Sequence, residues 1–406
     1  MRVLYVVQRY GEQIAGGAEQ HARAFAERLV ERDHRVTVAT TCAQSYVDWA
    51  NAYPRGWSSC NGVSVYRIPV ELRRNHHLFS RFNARMSTAP GVRPLAVQRE
   101  WMQMQGPYAP DLVPWMRRHA RSFDVVVFIT YLYWTTWAGL GECSGAVPTL
   151  LHPTAHDEPP LRLSIFQEVL RAPDAFAFLT PEEADLVRRR FPGAPPGDVV
   201  GIGVEMDRPG DAAAFRRQFE LGETPYLLYV GRVDPAKGAS ELIDYFVAYK
   251  QRNPSDLKLV LLGELLVEDP ARSDVVVTGF VDEPVRNGAL AGALALVHPS
   301  YFESFAMVLT ETFAQRRPAL VQRRSAVLEG HAGRSGGALP YTGFAEFEAA
   351  VELLRTTPDL ADELGAAGRR YVEREYDWDV VMARYETTLD RVAREGSLRA
   401  EAINAR

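Results

Sequence analysis

The sequence predicts an α/β protein built as two Rossmann-like domains, and three observations carry that prediction. With 406 residues the chain is too long for one ordinary hydrophobic core. Short apolar runs such as Val125–Ile129 and Tyr226–Val230 read as buried strands. These runs alternate with segments of helical spacing, which is the pattern of a parallel sheet.

Taken in order, residues 3–7 are the first expected strand, and 18–29 the first helix, with Ala22, Phe25, Ala26 and Leu29 on one face. The loop 8–17 between them ends in Gly16-Gly17, whose missing Cβ atoms let backbone approach a ligand. It lacks the Gly-x-Gly-x-x-Gly order of dinucleotide binders, so a dehydrogenase is poorly supported. Residues 36–40 and Val63–Ile68 are the next strands. From 72 to 122 the regularity loosens, and arginines such as Arg73, Arg81, Arg85 and Arg99 interleave with Phe79, Phe82, Trp101 and Trp115. Such a surface suits peripheral contact with an anionic membrane or a bulky acceptor; alternatively, the arginines face water while the aromatics pack inward.

Strands at 125–129 and 147–151 follow, with Tyr131, Tyr133 and Trp134 between them at a strand end. The loop 152–160 holds His152, His156 and Asp157. A histidine beside a carboxylate can donate a hydrogen bond to a hydroxyl or position an acceptor, and a pair that merely caps the loop is the alternative. After a strand at 175–179, Thr180 reads as a helix N-cap with Pro181 at the first helical position. The stretch 203–210, rich in Gly and Pro, suits a hinge.

In the second half, Tyr226–Val230 runs into the loop 231–238, which carries Gly231, Arg232 and Lys237 at a strand end, where parallel sheets collect ligands. Further strands are expected at 257–262, 275–278, 294–297 and 319–321, with Asp282 to Pro284 opening a helix. The stretch 299–311 is expected to open another helix, which would set Glu303 and Glu311 about 12 Å apart along its axis and about 80° apart around it. The N–H groups of Phe305, Ala306 and Met307 would then be free at the helix start to take a phosphate. Carboxylates at both ends and donors between them match a nucleotide sugar: hydroxyls, diphosphate, ribose; a solvated helix face that happens to carry two acidic residues is the alternative for this pattern taken alone.

With these residues in place, the chain resembles the retaining glycosyltransferases of family 4, which have the GT-B architecture of two Rossmann-like domains facing across a cleft. The resemblance is carried by Gly16-Gly17, Gly231-Arg232, Lys237-Gly238, Gly279-Phe280-Val281, Pro299-Ser300, Glu303-Ser304-Phe305, Glu311 and Pro318. It implies an acceptor-side domain over 1–205, a nucleotide-sugar domain over 206–376, and a helix over 377–406 that crosses back to the first domain; a helix that simply ends the second domain is the alternative. It further implies transfer of a sugar from a nucleotide-diphosphate sugar to a hydroxyl acceptor, with Arg232, Lys237, Glu303 and His156 catalytic. Donor binding would fall to Gly16, Gly17, Gly231, Val281, Ser304, Phe305, Ala306, Met307 and Glu311. At 323–331 the chain departs from the Gly-Gly segment more usual in the family. An epimerase or phosphorylase of the same architecture, or a non-catalytic subunit, are the alternative functions.

A net charge of -5 and 24% charged residues give no reason to expect nucleic-acid binding. Cys42, Cys60 and Cys143 are scattered without ligand spacing, which fits a reducing compartment. No Asp-x-Asp motif is read as holding a metal on the diphosphate, so metal independence and no cofactor are expected. The N-terminus lacks signal-peptide character and no run of eighteen apolar residues occurs, so a cytoplasmic protein is expected, with possible peripheral contact at the inner face of the membrane.

Overall fold

The computed structural model describes residues 1–14, 16–88, 92–143 and 145–404; Ala15 of the first loop and residues 89–91 of the basic and aromatic segment lie outside them. The chain forms two compact units, Met1–Gly201 with Met382–Arg406, and Ile202–Val381.

The first unit contains β1 (Arg2–Val6), α1 (Gly17–Glu31), β2 (Arg35–Thr41), β3 (Gly56–Cys60), β4 (Val63–Ile68), α2 (His76–Thr88), α3 (Leu95–Gln105), α4 (Leu112–His119), β5 (Val125–Ile129), α5 (Trp134–Cys143), β6 (Thr149–His152), α6 (Phe166–Val169), β7 (Ala175–Phe178), α7 (Pro181–Arg190) and β8 (Gly197–Val199). Its sheet runs β3-β4-β2-β1-β5-β6-β7-β8. Every pairing is parallel except β3 with β4. All five residues of β5 are buried, as a central parallel strand covered on both faces requires.

Two local expectations resolve here. Thr180 caps α7 by accepting the Glu183 N–H, with Pro181 at the first helical position. In the 72–122 segment, α2 to α4 turn Phe79, Trp101, Met102, Trp115 and Met116 into the core, so most of the aromatic side chains serve packing.

The second unit contains α8 (Ala212–Gln218), β9 (Tyr226–Val230), α9 (Ala239–Arg252), β10 (Lys258–Leu262), β11 (Val275–Gly279), α10 (Glu283–Gly292), β12 (Ala295–His298), α11 (Met307–Ala314), β13 (Ala319–Gln322), α12 (Ala326–Ser335), β14 (Ala338–Tyr341), α13 (Phe344–Thr356) and α14 (Pro358–Glu375). Its sheet is parallel throughout, in the order β11-β10-β9-β12-β13-β14. The connection order reverses between β9 and β12, because β10 and β11 add on one side and β13 and β14 on the other. In open α/β sheets, ligands bind outside the carboxyl ends of the strands at such a reversal.

The last helix, α15 (Trp378–Asn404), belongs from Met382 onward to the first unit. There Tyr385 shares a 2.6 Å hydrogen bond with Tyr5 of β1.

Candidate active site

The loops that leave β9 and β12 build the site of the second unit. After β9, Gly231 takes φ +137, and its carbonyl faces Gly263, where a Cβ would come within 2.0 Å of it. Only glycine at 263 permits that approach. Gly231 donates its N–H to Leu262 O at 2.9 Å, and Gly263 donates to Gly279 O at 2.9 Å. The ends of β9, β10 and β11 are thereby tied into one rim, which also carries Val281 two residues beyond Gly279.

Asp234 then turns the chain: its Oδ1 accepts the Ala236 N–H at 2.8 Å, and Pro235 opens a single 3-10 turn that ends at Lys237. Gly238 follows in the left-handed region at φ +75, and a Cβ there would lie 2.5 Å from the Pro299 carbonyl oxygen. The β9 loop is thus docked, backbone against backbone, on the β12 loop. That docking brings Lys237 Nζ to 2.8 Å from Glu303 Oε1. His298, the last residue of β12, places Nε2 at 3.4 Å from the same oxygen.

Burial alone would raise the Glu303 carboxyl, but the Lys237 ammonium and His298 outweigh it and hold the group well below the usual carboxylate range. Glu303 is therefore an ionised acceptor in a nearly closed space, its side chain 14% exposed. Arg232, in the same loop, lies 4.0 Å from Asp234 with its side chain 42% exposed.

One expectation needs correction. Glu303 is not on a helix, because Ala306 adopts φ 68 and ψ 63 and α11 begins only at Met307. A left-handed alanine ends one backbone direction before the helix starts. Of the three N–H groups expected at the helix start, only that of Met307 belongs to it, and the next is Val308. Phe305 instead sends its ring inward, 5.5 Å from His331 and 5.0 Å from Tyr376. Glu311 does lie on α11, paired at 3.1 Å with Arg286 of α10. Burial raises its carboxyl, Arg286 opposes that, and Glu283 adds to it.

In the first unit, Gly16 precedes α1, and a Cβ there would meet Glu19 Oε2 at 2.1 Å. Its bareness makes room for the buried Arg9–Glu19 ion pair at 2.6 Å, whereas Gly17 faces open space. His156 lies after β6, and its carboxylate neighbour is Glu158 at 3.5 Å, not the expected Asp157. Asp157 turns to Arg190 at 3.1 Å and Arg162 at 3.4 Å. Glu158 is anchored by Tyr131, whose hydroxyl donates to it at 2.8 Å.

Two family models match in succession: a glycosyl transferase 4-like domain over residues 16–203 and glycosyl transferases group 1 over 224–356. A glycogen synthase of Mycobacterium tuberculosis is 25% identical over 414 residues, spanning 94% of this chain and 92% of its own. A sucrose-phosphate synthase from Thermosynechococcus elongatus superposes with a TM-score of 0.70 at 18% identity over 100% of both chains. Anabaena HepE in complex with UDP-glucose gives 0.65 at 13% identity, again over 100% of both.

The chain is a group 1 glycosyltransferase of GT-B type.

In this glycosyltransferase, sequence reasoning missed His298 and Arg286. The first sits at the end of an apolar run and carries no motif; its only signal is a polar residue directly before Pro299-Ser300. The second is one arginine on an ordinary helix, and only the fold pairs it with Glu311. The enzyme does hold an Asp-x-Asp triplet, Asp377-Trp378-Asp379, but this starts α15. Asp377 Oδ1 accepts the Asp379 N–H at 2.9 Å, and Trp378 packs so closely on Gly203 that a Cβ there would come within 2.1 Å.

Proposed function

We propose that the protein is a family 4 retaining, metal-independent glycosyltransferase that moves a hexosyl group from a nucleotide-diphosphate sugar to a hydroxyl of a glycan, lipid-linked or small-molecule acceptor. The observation that carries this reading is the Lys237–Glu303 contact of 2.8 Å at the reversal point of the second sheet. A cation and a hydroxyl-accepting carboxylate stand side by side there, as a sugar joined to a phosphate requires. The UDP-glucose bound to HepE supports a nucleotide-sugar donor.

In this mechanism the acceptor oxygen attacks C1 on the face that the diphosphate leaves. The C1–O bond to phosphate breaks, and a phosphate oxygen takes the acceptor's proton. Lys237 and Arg232 neutralise the charge that gathers on the leaving diphosphate, with the N–H groups of Met307 and Val308 adding fixed dipoles. Each donor so placed is worth on the order of 3 kcal/mol. Glu303 accepts sugar hydroxyls, Glu311 accepts from the ribose, and backbone beside Val281 meets the base. Retention and the family number rest on the resemblance.

A thermal-shift screen of the full chain over UDP, GDP, ADP and their sugars tests this. One nucleotide series raises Tm, because a ligand at a hundredfold its Kd adds about 2.7 kcal/mol. Turnover with that donor continues in excess EDTA, and NMR of early product shows the donor's anomeric configuration. No shift with any nucleotide diphosphate would sink the reading; inverted product or chelator-sensitive turnover would remove the corresponding part.

A further inference from the structure

The antiparallel edge strand β3 exposes Trp57 at 62%, although an indole is among the side chains that gain most from burial. The ring is not isolated. Trp57 pairs in register with Tyr66 of β4, their rings 5.0 Å apart, and lies 6.5 Å from the Trp115 ring of α4. Tyr66 and Trp115 stack at 5.1 Å with planes 16° apart. Two strands and a helix therefore hold three aromatic rings in fixed relation, the outermost one in water. Beside the stack opens a hollow that Tyr66 and Trp115 line together with Arg55, Asp111 and Arg118. Arg55 and Asp111 face each other there at 3.3 Å, with side chains 64% and 51% exposed. An ion pair so exposed contributes little to folding, on the order of 0 to 1 kcal/mol, so stability does not explain the arrangement.

We infer that this surface is a saccharide platform, which holds a sugar unit of a glycan chain. A pyranose ring presents a flat C–H face and a rim of hydroxyls. The aromatic face suits the first, while the arginine donors and the Asp111 acceptor suit the second. A wholly apolar partner leaves three charged side chains unused, and a polyanion meets the Asp111 carboxylate. A nucleobase also stacks on indole, and the experiment separates it. The platform uses none of Lys237, Glu303 or Glu311, so it goes beyond the donor reading and stands apart from it.

The test is binding of the fluorescently labelled full chain to a printed array of neutral and charged glycans, with UDP thermal shifts measured alongside. At least one neutral glycan series binds; Trp57→Ala weakens that binding tenfold or more, Asp111→Ala weakens it, and Trp57→Phe retains most of it. The UDP shift is the same in wild type and Trp57→Ala. The proposal is overturned if the array shows no bound glycan, if Trp57→Ala binds as wild type does, or if Trp57→Ala abolishes the UDP shift, which would mark a base-stacking site. Trp57-dependent glycan binding without any UDP shift would sink the donor reading and leave this one standing.

Discussion

Glu303 keeps its charge in a poorly hydrated space because Lys237 stands 2.8 Å away. Remove the ammonium, and burial loses its strongest opponent. Breaking a fully buried ion pair from one side costs about 3 to 5 kcal/mol, and less where water can enter. The Lys237 side chain is 38% exposed, so the smaller penalty applies. Lys237→Ala is expected to lower Tm modestly and turnover by about a hundredfold to a thousandfold, the effect of losing one transition-state donor. The two losses separate in the Lys237→Ala/Glu303→Gln double variant. Neutralising the stranded carboxyl restores Tm but not turnover. A double variant with wild-type turnover would remove both residues from the chemistry. Lys237 and Glu303 were legible in the sequence because each follows a strongly apolar strand. His298 was not, because strand periodicity alone gives a polar residue at a strand end no direction.

At the scale of the element, the strained point is Ala306, buried and left-handed at the entrance to α11. Such a conformation costs a residue with a Cβ on the order of 1 kcal/mol, which glycine avoids. Ala306→Gly is therefore expected to leave the fold intact and to move the unfolding free energy by no more than roughly 1 kcal/mol in urea melts, because relief of the strain is offset by one lost buried methyl, about 0.8 kcal/mol, and by a freer unfolded chain. A clear destabilisation would show that the methyl's packing outweighs the strain. The same residue explains why the local reading of 299–311 misjudged the helix. Apolar spacing continues unbroken through it, and nothing in an alanine announces a positive φ. Strands show the same contrast. β4, β5 and β9 were readable to the residue because apolar runs or alternation mark them. β3 escaped notice because its burial depends on β4 alone, its Ser58 and Ser59 are exposed, and Trp57 points to solvent.

At the scale of the whole molecule, the first unit is completed by the last segment of the chain. Tyr385 lies between the Tyr5 hydroxyl, the Phe25 ring at 4.6 Å and the His152 ring at 5.2 Å. Around it, Arg391 reaches Asp198 at 2.7 Å and His34 reaches Glu386 at 3.1 Å. Tyr385→Ala opens a cavity worth about 3 to 5 kcal/mol and leaves the buried Tyr5 hydroxyl without this partner. Hydrogen exchange should therefore rise in β1, α1 and β6, while β9 and β12 keep their protection; an equal rise in both sheets would refute a loss confined to the first unit. This region also sets an acid limit. Burial lowers His21 from 6.5 to about 3 and, helped by His21, holds His152 well below 6.5. In the unfolded chain both rings take up protons as the pH drops through 6.5, while in the folded chain they do not. The folded-state contribution is thus complete above that value and shrinks as pH falls toward 3, by at most about 1.4 kcal/mol per pH unit for each ring. Urea midpoints should accordingly fall between about pH 7 and about pH 5, and the slope should flatten in His152→Phe, which fills the same space without titrating. An unchanged slope in that variant would mean that the acid sensitivity arises elsewhere, with the carboxylates that depend on arginine partners as the next place to look.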